Sequence, residues 1–356
     1  MLAFVFDRIV AIFAFYKFNN MQKKKHSNIP IFVPELACPH RCVFCDQKKI
    51  SGSLTIPDPD KISEMIETYV NTMQDGRKIE IAFFGGNFTG IPFELQKEYL
   101  SLAYKFVQNK TVAGIRISTR PDYIDNERLD LLKNFGVTTI ELGAQSTNES
   151  VLLKSGRGHT VKDTENASKL ILENEFELGL QMMLGLPGDS FESSYKTAID
   201  IIKLGATSTR IYPTLVIKGT MLEQFYNAGK FIPLTVEETV QWAKEIVKLF
   251  EQHEVRILRI GLHPSKEFED GKSLIAGPYH QSLTELVMTE IWNDILLSHL
   301  QLIEKSSATI RINPSQLNFG IGYKAKNKIN FSGKGITINF IADYSLPKYK
   351  IDVSYN

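Results

Sequence analysis

From Pro30 onward, apolar runs of strand length alternate with stretches whose apolar residues recur at helical spacing. IFVPEL (31–36) predicts an extended segment, and Asp58-Pro59 predicts a helix start, since Asp caps and Pro fits the first turn. After it, Ile62, Met65, Ile66, Tyr69, Val70 and Met73 share one helical face. Further strands are predicted at IEIAFFGGN (79–87), GIRIS (114–118), VTTIELG (137–143), ELGLQMMLGLPG (177–188, strand and turn), STRIYPTLVI (208–217) and VRILRIG (255–261). Helices are predicted between them near 93–108, at 125–134 and 161–174, and around Tyr195, Ala198, Ile199 and Ile202. Thr235 with Glu238 reads as a capping box, followed by Val236, Val240, Ala243, Val247 and Phe250 on one face.

Strand then helix, six or seven times over, with near-continuous apolar strands, implies an α/β fold whose parallel sheet is covered by helices. Doubly wound and barrel arrangements both satisfy the pattern. In either, the loops at the carboxyl ends of the strands build the site. The chemically distinctive residues fall there: the cysteines after the first strand, Gly85-Gly86-Asn87 after the second, Ser118-Thr119-Arg120 after the third, Gln145 after the fourth and Gly185 after the fifth. Past residue 261 the style changes. SLTELVMTEIW (282–292) reads as helix, while ATIRIN (308–313), ITINF (336–340) and YKIDVSY (349–355) alternate with period two. The expected organisation is a main domain over 26–263 and a small α+β appendage over 264–356.

Composition narrows the class only a little. Hydrophobic residues at 43% and charged ones at 23% are ordinary for a globular protein. A net charge of +1 announces neither DNA nor membrane binding. The charge is uneven, however: residues 301–356 carry eight Lys and Arg against three acids, or +5, leaving −4 for the rest. A solvated lysine-rich face is the plain reading and an anion-binding surface the alternative. The apolar opening MLAFVFDRIVAIFAFYKFNN is interrupted by Asp7 and Arg8, and its uninterrupted pieces fall far short of the ~20 residues a spanning helix needs. No membrane association is expected. Met21, followed by QKKKH, is an alternative start, so residues 1–25 are read as a disordered extension outside the fold.

All three cysteines, Cys38, Cys42 and Cys45, lie in PELACPHRCVFCDQKKISG (34–52), spaced C-x3-C-x2-C. Three thiols within eight residues are not a disulfide framework, and a reducing, cytoplasmic setting is expected. Clustered thiolates suit a thiophilic metal. A structural zinc site needs four ligands, and His40 inside the loop supplies a fourth. An iron–sulfur cluster held by only three would keep one iron open for chemistry. Spacing alone leaves both open.

The same motif, with Phe44 just before the third cysteine, resembles the signature of the radical S-adenosylmethionine (SAM) superfamily, and the resemblance continues from Pro34 to Gly261. It implies a partial (β/α)6 TIM-type barrel. It further implies a 4Fe–4S cluster on Cys38, Cys42 and Cys45, with SAM on the open iron, cleaved reductively to a deoxyadenosyl radical. A low-potential electron donor such as flavodoxin or ferredoxin would then be a partner. Gly85-Gly86-Asn87 resembles the superfamily's Gly-Gly-Glu contact to the methionyl amine, with Asn87 in place of the acid. GAQS (143–146) and GRGHT (156–160) resemble segments that bring a Gln and an Arg, here Gln145 and Arg157, to the ribose and carboxylate of SAM. Ser118 stands where relatives carry a ribose-binding Glu, and Gln181 where some carry an Asp. Ser118 and Gln181 are equally readable as satisfied core polar groups, and Gly85-Gly86-Asn87 has a tight turn as its plainer alternative.

Within the superfamily, STRPDYID (118–125), IELGAQS (140–146), LLKSGRGHT (152–160) and RIYPTLVIKGTMLEQFYNAGKF (210–231) resemble the radical domain of the Elongator catalytic subunit. That branch carboxymethylates a tRNA wobble uridine with the help of an acetyltransferase-like domain. The short first cysteine gap departs from the Elongator pattern, and the last ~90 residues are small for such a domain. RNA, and tRNA in particular, is therefore the expected substrate, with Lys324, Lys326 and Lys328 as candidate RNA contacts. The alternatives are a small-molecule radical enzyme such as a porphyrinogen oxidase, against which Asp46 and Gln47 stand where a further cysteine is expected, and a non-enzymatic zinc protein. His263, Tyr279 and His280, beyond the last barrel strand, are the candidate catalytic groups; each reads equally well as a cap or a packing residue.

Overall fold

The computed structural model describes residues 26–33, 42–46, 58–72, 78–262, 271–300 and 307–355. Six strand–helix units come first: β1 (His26–Phe32) with α1 (Pro59–Thr72), β2 (Lys78–Phe84) with α2 (Phe93–Gln108), and β3 (Gly114–Thr119) with α3 (Asn126–Asn134). They continue with β4 (Val137–Gln145), α4 (Glu149–Lys154) and α5 (Val161–Glu173), then β5 (Glu177–Leu184) with α6 (Phe191–Lys203). β6 (Ser208–Pro213) is followed by the short β7 (Val216–Ile217), α7 (Met221–Asn227) and α8 (Val236–Gln252). A seventh barrel strand, β8 (Arg256–Ile260), closes the series. The seven strands lie in one parallel sheet in the order β1-β2-β3-β4-β5-β6-β8. β1 and β8 do not pair, so the curled sheet is a partial barrel open on that side.

The helices start where the sequence provides caps. Thr160 and Asp163 form a capping box at α5, and Thr235 and Glu238 form another at α8. Asp125, Ser190 and Thr220 accept from backbone amides at the starts of α3, α6 and α7. The helices' apolar faces cover the outer face of the sheet, so strands such as β3 are buried along their whole length.

Beyond the barrel, β9 (Leu274–Ala276) pairs antiparallel with β7. α9 (Leu283–Leu300) leads to β10 (Ser307–Ile312), α10 (Leu317–Ile321), α11 (Lys326–Gly333), β11 (Thr337–Ala342) and β12 (Ile351–Tyr355). These last strands form a separate sheet ordered β11-β10-β12, parallel between β10 and β11 and antiparallel between β10 and β12. One continuous apolar core runs from Ile29 and Ile81 of the barrel through Ile246 and Phe250 of α8 and Val287 and Trp292 of α9 to Ile310 and Ile338 of the second sheet. The expected boundary at 263/264 falls in residues outside the described ones.

Two predicted elements change shape. The run predicted at 208–217 is broken: β6 ends at Pro213, which has no amide to donate, and the chain turns to form β7 with a different partner. The first strand begins earlier than its apolar run, because the polar His26 is held by Glu80 of the neighbouring strand at 2.7 Å.

The barrel interior carries a chain of buried charges. Arg116 of β3 lies between Glu80 of β2 (3.0 Å) and Glu141 of β4 (2.9 Å), and Arg210 of β6 grips the same Glu141 through two bonds at 2.6 and 3.2 Å. Burial alone would push the Glu141 carboxyl up, but the two guanidiniums and a bond from Gln181 outweigh it and hold it below the usual carboxylate range. Glu80 is likewise lowered, burial being outweighed by His26 and Arg116.

Candidate active site

A cavity of about 310 Å³ opens at the carboxyl ends of the barrel strands. Pro30 and Phe32 bound it on one edge of the sheet and Arg259 and Leu262 on the other. Between them the wall is formed by Phe44, Cys45, Phe84, Gly85, Gly86, Ser118, Gln145, Arg157 and Gln181, with Met183, Arg210 and Tyr212 on the β5–β6 side. The volume falls within the range of small-molecule sites.

Local backbone chemistry explains how these residues meet. Gly85 has φ of +124°, and a Cβ there would lie 2.3 Å from the Val33 carbonyl oxygen, so only glycine lets the end of β2 pass the chain leaving β1. Gln145 ends β4 in the left-handed region at φ +66°, next to an irregularity in its pairing with β5. A non-glycine residue pays strain for that conformation. Here it brings the side chain to the cavity, where Oε1 has no hydrogen-bond partner among the described residues.

The cysteine loop is stitched to the barrel. The Val43 amide donates to Ser155 (3.0 Å), the Leu222 amide donates to Val43 (2.7 Å), and the Cys45 amide closes a turn on Cys42 (3.1 Å). Cys42 and Phe44 pack with Val151, Leu186, Val216, Leu222 and Phe231. Arg157, 7% exposed, donates from Nη1 to the Cys42 Sγ at 3.4 Å and from Nη2 to the Gly143 carbonyl at 2.5 Å. Arg157 is held in turn by Arg120, which donates to its carbonyl at 2.8 Å while Asp122 grips Arg120. Burial first, then the Arg157 and Arg120 charges, pull His159 down to about 3, so it is neutral at ordinary pH.

The sequence matches the radical SAM superfamily over residues 35–200 and the radical SAM C-terminal domain over residues 206–293. An uncharacterized protein of Methanocaldococcus jannaschii is 34% identical over 225 residues, 59% of this chain and 67% of that protein. The chain belongs to the radical SAM superfamily. It is an enzyme of that class, and the superfamily implies a 4Fe–4S cluster and SAM. A tRNA uridine(34) acetyltransferase of Methanocaldococcus infernus is 27% identical over 262 residues, 62% of this chain and 49% of that protein. Elongator complex protein 3 of Homo sapiens is 27% identical over 192 residues, 48% of this chain and 35% of that protein. The chain spans about half the length of the tRNA uridine(34) acetyltransferases it matches. In fold, it resembles an N-terminally truncated archaeal Elp3 from Methanocaldococcus infernus with a TM-score of 0.58 at 24% identity, covering 76% of this chain and 63% of that one.

The residues present suit a radical SAM cluster and its ligand. Cys45 faces the cavity and Cys42 lies against Arg157 at its wall, while Cys38 and His40 lie outside the described residues. Phe44, Gly85, Gly86, Ser118, Gln145, Arg157 and Gln181 all reach the same cavity. Asn87 does not line it among the described residues; its Oδ1 accepts from the Thr119 hydroxyl at 2.8 Å. Gln181 donates to Ser118 (3.3 Å) and Glu141 (3.0 Å), which ties two cavity groups to the buried charges beneath.

Of the groups beyond the barrel, His263 lies outside the described residues. The His280 Nδ1 accepts from the Ser282 amide at 3.0 Å, and its ring meets Tyr323 edge-on. Tyr279 packs against Leu215 and Ile217, two residues of the cavity wall. Arg210, Tyr212 and Arg259 join the site without having been expected. Their signal was available: polar or charged residues within otherwise apolar strands, at the two-residue spacing of one sheet face in the case of Arg210 and Tyr212.

Proposed function

We propose that this radical SAM enzyme modifies a uridine of tRNA, with Cys38, Cys42 and Cys45 as the cluster ligands and the cavity at the strand ends as the SAM and substrate site. The meeting of Phe44, Cys45, Gly85, Gly86, Ser118, Gln145, Arg157 and Gln181 in one cavity carries the reading. When bound, the cluster and SAM supply one-electron reductive cleavage of a sulfonium bond, giving a deoxyadenosyl radical. The chain's own part is binding, orientation and exclusion of water. Gly85 and Gly86 let the methionyl end approach backbone closely. Gln145 offers an unused amide oxygen to a hydroxyl or amine donor. Ser118 and Gln181, already bonded to each other, present a fixed polar edge for a ribose. Arg157 offers charge to a carboxylate while bonding the Cys42 sulfur.

The tRNA part of the reading is supported by the relatives whose names state a tRNA uridine as their target, and by the positive C-terminal segment. Its lysines are not equivalent. Lys324, Lys326 and Lys328 are all exposed, but Lys326 is paired with Glu290 and Lys324 lies over the Tyr323 ring. Comparing the modified nucleosides of tRNA from cells with and without this protein tests the substrate. A uridine derivative missing from the deletion strain is the expected outcome, and identical nucleoside profiles would remove tRNA as the substrate.

A further inference from the structure

We propose a second anion-binding position in the cavity, built by Arg259 at its open edge, that takes one oxyanion (phosphate or carboxylate) of the molecule to be modified. It rests on the reading of the cavity as a SAM and substrate site, and it adds the chemical character of the substrate's anchoring group.

The charges around the cavity are not all satisfied. Arg116 has two carboxylate partners, and Arg210 makes a forked pair with Glu141 while its guanidinium lies 5.0 Å over the Phe84 ring. Arg259 has neither kind of partner among the described residues. Its Nε donates to the Gly261 carbonyl at 2.9 Å and its Nη2 to the Leu262 carbonyl at 3.0 Å, which leaves Nη1 with no partner among the described residues. No Asp or Glu lines the cavity among the described residues.

A half-buried guanidinium whose hydrogen bonds go only to carbonyls has lost hydration without a carboxylate in bonding contact among the described residues. Burial pulls the Arg259 pKa below the ordinary arginine value; Tyr212, Glu285 and Tyr279 oppose the shift only in part, and the Arg210 charge adds to it. The two carbonyl bonds fix the plane of the guanidinium before any ligand arrives, so little entropy remains to be lost on binding. Position completes the case. Arg259 is on β8, one edge of the open sheet, and lines the cavity together with Pro30 and Phe32 of β1, the other edge. Arg157, on the cysteine-loop side, is the other cavity guanidinium without a carboxylate partner. Two such cations on separate walls suit two anionic groups, one on each ligand.

The test uses the anaerobically reconstituted full chain and three probes, uridine 5′-phosphate, uridine and acetate, titrated calorimetrically against wild type, Arg259→Gln and Arg259→Lys. SAM binding is measured on the same samples. Wild type should bind uridine 5′-phosphate more tightly than uridine, and Arg259→Gln should lose about tenfold or more of that affinity, as the loss of a charge-assisted bond requires. Uridine and SAM affinities should stay within about twofold of wild type on that same basis. If acetate rather than the phosphate loses affinity in Arg259→Gln, the position is a carboxylate site and the inference stands with that source. Should Arg259→Gln fail to melt cooperatively, because Gly261 and Leu262 have lost their donor, Arg259→Lys decides: it keeps the charge, loses the fork and should bind the anion about threefold or more weaker. Equal anion affinity in wild type and the folded variants, or no anion binding to wild type, overturns the inference. Failure of wild type to bind or cleave SAM would instead overturn the underlying reading.

Discussion

In the proposed reading, Arg157 joins two tasks in one side chain. Its donation to the Cys42 sulfur stabilises negative charge there, and hydrogen bonds to cluster sulfurs raise a cluster's reduction potential. Arg157→Gln should therefore lower the midpoint potential of the reconstituted cluster. A bond worth about 1 kcal/mol corresponds to roughly 40–50 mV for one electron. Arg157→Lys, which keeps charge without the fork, should fall between. Potentiometric titration followed by electron paramagnetic resonance reads the shift directly, and an unchanged potential in both variants would show that the contact does not reach the cluster. Sequence could pair Arg157 with a carboxylate by resemblance, but its contact with Cys42 spans 115 positions and no spacing rule encodes it. Asn87 is a second case: its side-chain oxygen accepts from the Thr119 hydroxyl, on the next strand in the sheet, a contact that its place after two glycines does not encode.

At the scale of elements, the strands are held in register by charge as well as by apolar packing. Glu141 of β4 bonds Arg116 of β3, Arg210 of β6 and Gln181 of β5, so one carboxylate ties four strands. Glu141→Gln keeps the shape and removes the charge, leaving two buried guanidiniums short of a partner. A loss of about 3–5 kcal/mol is expected, measured as a shift in the denaturant midpoint. The wild type should show the matching acid limit. Glu80 and Glu141 are both lowered from the ordinary value of 4.5 in the folded state. Their stabilisation is thus complete above that value and is lost as pH falls below it, a dependence that Glu141→Gln should flatten. The alternation of strands and helices was legible because apolar periodicity is local, and α8 begins at the capping box its sequence spells out. The break at Pro213 and the partnering of β7 with β9 were not, since pairing depends on residues some sixty positions away.

For the whole molecule, the parallel order of seven strands turns scattered motifs into one site. Residues as distant in sequence as Phe32 and Arg259 border the same cavity because β1 and β8 are the two open edges of one sheet. The C-terminal sheet is not a detached module, since its Ile310 and Ile338 belong to the same apolar core as the barrel. The cysteine spacing marked where the chemistry sits but left its occupant open between zinc and an iron–sulfur cluster. Membership in the superfamily implies the iron–sulfur cluster. The deciding measurement is anaerobic reconstitution of wild type and Cys42→Ala, followed by iron analysis and the yield of deoxyadenosine from SAM under a strong reductant. The account predicts about four irons per wild-type chain and steady deoxyadenosine formation, with none from a Cys42→Ala protein whose circular dichroism is unchanged. An iron-free wild type that leaves SAM intact, or a Cys42→Ala protein that cleaves it at the wild-type rate, would contradict it.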